Sequence, residues 1–183
     1  KLIFPSELDK DWFLNLNDIK FDYPKLLYVG RLKVEKGIYS LIEIIKEIDI
    51  KFLLTIAGDS KHVSLGTLNS VKFVAFINSK KELINCYDNH NIVILPSFTE
   101  AHPKVIDEAL ARLKPVIVFN EIKHVIGNRK GIFAVERNLN SFKESILYIM
   151  KNYESIQNDI KKNILPTKEK FINDLEGALE DKK

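Results

Sequence analysis

The feature of this sequence that most constrains its fold is a regular alternation of short apolar runs with longer amphipathic segments. The apolar runs hold four to six residues, which is a usual length for a β-strand. The intervening segments place apolar residues at the helical period, as Leu41, Ile44, Ile45 and Ile48 do. Repeated strand-helix units favour a parallel sheet with helices on both faces. The sequence therefore predicts an α/β fold built on about six parallel strands.

The predicted elements follow one another along most of the chain. Strands are expected at 26–29, 52–57, 71–76, 92–95, 115–119 and 131–135, with one more at 2–4. Helices are expected at 36–48, 62–69, 80–89, 103–113, 141–163 and 167–179. Ser79 and Ser141 are the expected N-caps of two of them, and Pro166 ends the helix before the last. We expect 1–24 to be a lead-in from an upstream domain, 25–163 to be the main domain and 164–183 a C-terminal helix.

Composition excludes several classes of protein. With one cysteine, Cys86, the chain has no disulfide framework and fits a reducing compartment, where Cys86 would be a packed thiol. A net charge of +3 is too small to indicate nucleic-acid binding, but it fits a mildly basic surface near anionic lipid or an anionic ligand. No apolar run reaches the roughly 18 residues of a membrane helix, and no signal peptide is evident. Because the chain begins at Lys1 and its only methionine is Met150, we expect a piece of a longer or processed protein.

Two carboxylates follow the fourth predicted strand. Glu100 lies in the short turn after that strand, and Glu108 lies in the helix that Pro103 opens. In parallel α/β sheets ligands lie at the carboxyl ends of the strands, and helix N-termini favour phosphate groups. Carboxylates also accept hydrogen bonds from pairs of sugar hydroxyls. The alternative is that Glu100 only complements the helix dipole and Glu108 is a solvated helix residue.

Two cations follow the first predicted strand. Arg31 and Lys36 flank a tight loop after Gly30, and both can point at one diphosphate group. Neither the P-loop order nor the dinucleotide-binding glycine pattern is present. The alternative is that both are solvated surface cations.

Taken together, these motifs resemble the carboxyl-terminal half of glycosyltransferase family 4. Members of that family are retaining enzymes of the GT-B fold, in which two Rossmann-like domains face each other across a cleft. The resemblance covers about residues 25–163 and implies that this part is a Rossmann-like domain that binds the sugar donor. The segments that carry it are 29–32, 36–37, 56–59, 95–97 and the pair Glu100 and Glu108, separated by seven residues and followed by Ala109.

The resemblance also implies roles for individual residues. Arg31 and Lys36 would bind the donor diphosphate, and Glu100 would contact the transferred sugar, so these three form the expected catalytic set. Glu108 would bind the ribose, and the segment 76–77 would lie near the base. His102 would pack or hydrogen-bond beside the sugar, with a general-base role as the alternative. The implied donor-binding set is Gly30, Arg31, Lys36, Ile77, Glu100, Ala101, His102, Pro103, Lys104, Val105 and Glu108.

Neither a metal nor a cofactor is expected. The four histidines show no metal-binding spacing, and no Asp-x-Asp motif is present. The resemblance implies front-side attack in which the leaving phosphate itself helps to take the acceptor proton.

The leading hypothesis is the donor-binding domain of a hexosyltransferase-type enzyme. It would move a sugar from a nucleotide diphosphate sugar to a glycan or lipid-linked acceptor, in bacterial surface polysaccharide synthesis. The acceptor would bind through a missing N-terminal domain, so this fragment alone is expected to be inactive. The expected location is the cytoplasm, including the inner face of the membrane by peripheral association, and no nucleic-acid partner is expected.

Two other functions stay open. Ala101 stands where the family has glycine, and glycines expected near 75 and after the fifth strand are absent. These departures motivate the alternative of a non-catalytic nucleotide-sugar-binding or scaffold module on a degenerate transferase fold. A sugar-nucleotide 2-epimerase of similar fold is the third hypothesis.

Overall fold

A computed structural model describes residues 5–14, 22–59 and 68–180 of the chain. Six strands within these residues form one parallel sheet. The strands are β1 (Lys25–Val29), β2 (Leu53–Ala57), β3 (Val71–Val74), β4 (Ile92–Leu95), β5 (Val116–Phe119) and β6 (Ile132–Val135). The central strands β4 and β5 are buried at every position, because helices cover both faces of the sheet. The predicted α/β Rossmann-like sheet is therefore confirmed.

The order of the strands in the sheet is β3-β2-β1-β4-β5-β6. The chain builds outward from β1 to β3 on one side and then returns to place β4 on the other side of β1. The direction of winding reverses between β1 and β4, which opens a crevice at their carboxyl ends. The loops that follow β1 and β4, which carry the predicted site residues, therefore lie side by side at this crevice.

Six α-helices connect or follow the strands in the described part of the chain. They are α1 (Ile38–Lys46), α2 (Lys80–Asp88), α3 (Lys104–Ala111), α4 (Leu139–Lys151), α5 (Tyr153–Ile160) and α6 (Lys168–Glu180). Short 3-10 helices occupy Lys10–Trp12, Val34–Lys36 and Asn120–Ile126. The predicted cap of α2 is confirmed, since the Ser79 side chain accepts a hydrogen bond from the Glu82 amide. Among the helices described, none is both long enough and apolar enough to cross a membrane.

The single long helix predicted for 141–163 is wrong, because α4 and α5 are separate helices. Asn152 ends α4, and its side-chain amide donates to the Tyr148 carbonyl, a local bond that competes with continued helix. The N-cap of α4 is Asn138 and not Ser141, whose amide donates to the Asn138 side chain. Both errors arise because asparagine favours helix ends as strongly as serine does.

Other boundaries differ by a few residues. The strand predicted for 71–76 ends at Val74, and the helix predicted for 103–113 is shortened to α3 because Leu113 adopts a positive φ of 56°. Pro103 is the N-cap of α3 rather than its first residue. The predicted strand at 2–4 and most of the predicted helix at 62–69 lie outside the described residues.

The segment 5–14 packs against the domain. Leu8 and Trp12 are buried in the main core, and the Trp12 ring meets the Tyr87 ring edge-on with centroids 5.9 Å apart. The Lys168 amide donates to the Leu8 carbonyl at 2.8 Å, which ties the start of α6 to this segment. The division of the chain at residues 24 and 164 stays a prediction.

Candidate functional site

The cation and the carboxylate predicted at the two loops are in direct contact. Lys36 Nζ lies 2.5 Å from Glu100 Oε1, which also accepts a hydrogen bond of 2.7 Å from Ser97 Oγ. Both charged side chains are largely shielded, with 20% and 11% of their surface exposed. An ammonium group has three donors and a carboxylate has about four acceptor positions, so this contact leaves capacity on both partners for a ligand.

Gly37 makes this contact geometrically possible. It has a φ of 67°, and a Cβ at this position would overlap the Pro96 carbonyl oxygen and lie 2.7 Å from the Pro96 carbonyl carbon. Only glycine tolerates both the left-handed backbone and this close approach. A second link between the loops is the Phe98 amide, which donates to the Glu35 carbonyl at 3.0 Å. The β1 loop is thereby held against the β4 loop that carries Glu100.

Arg31 lies on the same edge of the sheet and is exposed. The buried Tyr28 side chain donates to the Arg31 carbonyl at 2.6 Å, and the Gly30 amide donates to the Ala57 carbonyl at 3.0 Å. Burial, followed by the nearby Glu100 charge, raises the pKa of Tyr28, which therefore stays a neutral donor. These two bonds hold the backbone of the loop, whereas the Arg31 side chain is exposed.

The turn that leads from Glu100 into α3 contains the predicted donor-binding residues 101–105. Ala101 is exposed and has a negative φ, so its conformation does not require glycine. The His124 ring nitrogen Nε2 lies 2.8 Å from the Glu100 carbonyl and holds this turn from the other side. Lys104 and Val105 belong to the first turn of α3, where backbone amides lack an acceptor within the helix. These amides and the positive end of the helix dipole favour an anion here.

His102 is partly buried beside α3. Its Nε2 atom lies 3.4 Å from the Asp107 carboxylate, which is itself buried and also accepts a hydrogen bond from Arg129. The side chain therefore interacts with a carboxylate of the protein's own helix. The predicted packing or hydrogen-bonding role of His102 beside the sugar stays a prediction.

Glu108 is half-buried between α3 and α2 rather than solvated. Its Oε2 atom accepts a hydrogen bond of 2.7 Å from the hydroxyl of Tyr87, a fully buried residue of α2. Burial raises the pKa of Glu108, and the bond from Tyr87 opposes that shift. Ile77, the residue predicted near the base, is half-buried in the segment after β3, next to the exposed ring of Phe76.

Two residues of the site have no signal in the sequence. Arg137, just after β6, donates to the Pro96 carbonyl and to the Ser40 hydroxyl, and His124 contacts the Glu100 backbone as described above. Both come from distant parts of the chain, and neither belongs to a motif. The described residues include no group of three or more His, Cys, Asp or Glu side chains that could hold a metal. Independence from metal stays a prediction.

Comparison with known families decides the kind of domain this is. A model of the family described as glycosyl transferases group 1 matches residues 14–165. The chain belongs to this family. Group 1 glycosyltransferases among the curated relatives include an uncharacterized glycosyltransferase of Methanocaldococcus jannaschii, 29% identical over 84% of this chain and 44% of the relative. Another relative is the capsular polysaccharide biosynthesis glycosyltransferase CapM of Staphylococcus aureus, 29% identical over 82% of this chain and 44% of CapM.

Solved structures share the fold of this group 1 glycosyltransferase domain. Sucrose-phosphate synthase from Thermosynechococcus elongatus superposes with a TM-score of 0.73 at 22% identity, over 98% of this chain and 52% of the synthase. Anabaena HepE in complex with UDP and glucose superposes with a TM-score of 0.72 at 16% identity, over 87% of this chain and 49% of HepE. The chain spans less than half the length of CapM and of the Methanocaldococcus jannaschii glycosyltransferase.

Proposed function

We propose that this chain is the donor-binding domain of a retaining, hexosyltransferase-type enzyme of glycosyltransferase family 4. The observation that carries the proposal is the contact between Lys36 and Glu100 at the crevice between β1 and β4, beside the start of α3. A cation, a carboxylate and free helix amides at one point suit a ligand with both phosphate and hydroxyl groups. A nucleotide diphosphate sugar is such a ligand, and HepE, which shares the fold, was solved with UDP and glucose.

The ligand would extend along the edge of the sheet. Arg31 and Lys36 would bind the diphosphate, Glu100 would accept hydrogen bonds from the transferred sugar, and Glu108 would accept from the ribose. The base would lie toward the segment 76–77. The backbone of residues 101–105, with His102 beside it, would line the sugar and phosphate.

The reaction would depend mainly on charge stabilisation. As the bond between the sugar and the phosphate breaks, negative charge grows on the leaving diphosphate, and the cations Arg31 and Lys36 would stabilise it. The leaving phosphate oxygen would take the acceptor proton, so no metal and no protein base is required. The acceptor would be a glycan or lipid-linked sugar bound by the remainder of a longer protein. The likeness to CapM supports a role in surface polysaccharide synthesis, which we place at the cytoplasmic face of the membrane.

Glu100→Ala should lower the turnover of the full-length protein about a hundredfold or more, with a smaller change in the KM for the donor. The carboxylate contacts the sugar that moves and also holds Lys36, so its loss acts mainly on the transition state. Glu35→Ala is the control, because Glu35 is an exposed acid of the neighbouring loop. The variant removes its carboxylate and keeps its backbone carbonyl, which accepts from the Phe98 amide. Release of nucleotide from the donor is the assay, and full activity of Glu100→Ala would remove that residue from the site.

Binding of a nucleotide diphosphate sugar should weaken as the pH falls from neutral toward the ordinary glutamate pKa of about 4.3. Because the pKa of Glu108 is raised, its carboxylate becomes protonated within this window and accepts less well from the ribose. The affinity should fall roughly fivefold, which corresponds to about 1 kcal/mol of binding free energy. The affinity of Glu108→Gln should be lower at neutral pH and nearly constant across the window. If the affinity of Glu108→Gln fell with pH as steeply as that of the wild type, the titrating group would be another residue.

The raised pKa of Glu108 also affects stability. The folded state holds the proton more tightly than the unfolded state, so Glu108 contributes most to the free energy of unfolding below its ordinary pKa. This contribution is lost as the pH rises through the raised value. The same carboxylate thus favours folding in acid and ligand binding near neutral pH, which is typical of groups kept for function.

The products formed from a sugar nucleotide distinguish the proposed transferase from the two alternative functions. Ala101 adopts a negative φ and is exposed, so the replacement of the family's glycine does not by itself indicate a degenerate site. Turnover of any sugar nucleotide by the full-length protein would exclude a non-catalytic module. Release of free nucleotide without a sugar epimerised at C2 would exclude the epimerase.

A further inference from the structure

We infer that Arg137 is a positioning residue that holds the loop of Lys36 and the loop of Glu100 in their relative places. Its consequence for donor binding rests on the proposed function, but the positioning itself does not. Arg137 follows β6 and comes from a part of the chain far from both loops. Its hydrogen bonds go to other residues than Lys36 and Glu100. It would therefore act through neighbouring residues of the segments that carry Lys36 and Glu100.

The donors of the Arg137 guanidinium point to three separate segments. Its NH2 group lies 3.0 Å from the Pro96 carbonyl oxygen and 3.4 Å from that of Ser97, in the loop that leads to Glu100. Its NH1 group donates to Ser40 Oγ at 2.7 Å, in the first turn of α1 directly after Gly37. Its Nε atom donates to Glu121 at 2.7 Å, in the 3-10 helix after β5. One planar group therefore joins the start of α1 to the segments that follow β4 and β5.

The faces of the guanidinium are also in contact. Its central carbon lies 4.1 Å from the ring centroid of Phe98 and 4.2 Å from that of Phe119. Phe98 belongs to the same loop as Glu100, and Phe119 ends β5. Stacking fixes the plane of the guanidinium, and the carbonyl bonds fix its direction within that plane. Only 15% of the Arg137 side chain is exposed, so water competes little with these bonds.

Arginine is required here for its shape as well as its charge. A lysine ammonium cannot stack as a plane and cannot direct separate donors to a hydroxyl and a backbone carbonyl at fixed angles. Arg137→Lys keeps the charge and most of the volume but loses the planar guanidinium and its separately directed N–H donors. It should therefore loosen the two loops without removing a cation from the region.

The test uses the 183-residue chain and the NMR signal of the Lys36 ammonium. Such a signal is observed when the ammonium is held in a stable ion pair, and Lys36→Arg would assign it. We expect the signal in the wild type and its loss or broadening in Arg137→Lys. Ser40→Ala removes one acceptor of Arg137 and a longer bond of 3.3 Å to the Gly37 carbonyl, so it should fold normally and give a smaller change in the same direction.

A matched control separates positioning from general loss of stability. Arg112 is more deeply buried, with 8% of its side chain exposed, and it holds Asp88 through two bonds of 2.8 Å, away from both loops. Arg112→Lys should lower the melting temperature comparably while the Lys36 signal stays unchanged. An unchanged Lys36 signal in Arg137→Lys, or an equal loss in Arg112→Lys, would overturn the inference.

Affinity for UDP provides the second readout. Arg137→Lys should weaken UDP binding at least threefold, whereas Arg112→Lys should not. If no nucleoside diphosphate binds the wild type while the Lys36 signal responds to Arg137→Lys, the proposed function fails and the positioning role stands. If UDP binds the wild type and Arg137→Lys leaves both the affinity and the Lys36 signal unchanged, the positioning role fails and the proposed function stands.

Discussion

Lys36→Ala is expected to weaken the binding of UDP, or of whichever nucleoside diphosphate this chain binds, at least tenfold. A charge-assisted hydrogen bond contributes about 1.5–3 kcal/mol, and each 1.4 kcal/mol is a factor of about ten in affinity. The variant also removes the cation from Glu100, whose side chain is only 11% exposed. An uncompensated carboxylate beside the phosphates would repel them, which adds to the loss. Arg31→Ala should weaken binding by a similar factor.

Calorimetric titration of the chain with UDP, GDP and ADP measures this effect. Lys33→Ala is the matched control, because Lys33 is an exposed cation of the same loop. It removes the same charge and should change the affinity little. Unchanged affinity in both Arg31→Ala and Lys36→Ala would move the phosphate site elsewhere. An equal loss in Lys33→Ala would mean that net charge and not a specific site attracts the ligand.

Gly37→Ala is expected to have the second large effect, on both stability and binding. The left-handed backbone costs an alanine about 1–2 kcal/mol. The added Cβ would also overlap the Pro96 carbonyl, which is backbone and cannot rotate away. Overpacking of this kind typically costs about 1–3 kcal/mol, so the free energy of unfolding should fall by roughly 2–5 kcal/mol. Because Lys36 is the preceding residue, the displaced loop should also lose the ion pair with Glu100 and most of the affinity for nucleotide.

Gly127→Ala separates the two causes. Gly127 also has a positive φ, of 55°, but a Cβ there would meet nothing within 4 Å. This variant should lose about 1–3 kcal/mol from backbone strain alone and should bind nucleotide as the wild type does. Urea denaturation and calorimetry of both variants measure the difference. If Gly37→Ala retained wild-type affinity, the close contact of the two loops would not be needed for the site.

The sequence predicted the sheet well because the signals for its elements are local. The strands are short, mainly apolar runs, and glycine, proline or polar residues lie close to the observed ends. Helix ends were predicted less well, because the residues that end the helices carry no distinct local signal. Asn152 divides one apolar period into α4 and α5, although asparagine also occurs inside helices. The positive φ of Leu113 ends α3, although leucine does not favour that conformation.

The site was predicted in part. Lys36 and Glu100 were each expected at the carboxyl edge of the sheet, and the strand order brings them together there. Their direct ion pair was not expected, because it depends on the close approach that Gly37 permits. The bond from Tyr87 to Glu108 joins residues 21 positions apart, and the bonds of Arg137 to Pro96 and Ser40 join residues 41 and 97 positions apart. No pattern along the chain encodes these contacts.

Whether the crevice binds a nucleotide can be measured by NMR titration of the nitrogen-15-labelled wild-type chain with UDP, GDP and ADP. We expect saturable shifts, for at least one of these nucleotides, at the amides of Gly37, Glu100, Lys104 and Val105. Those amides lie on the two loops and the first turn of α3, which meet at the crevice between β1 and β4. The absence of saturable shifts with all three nucleotides, or shifts confined to other parts of the chain, would contradict nucleotide binding at the crevice.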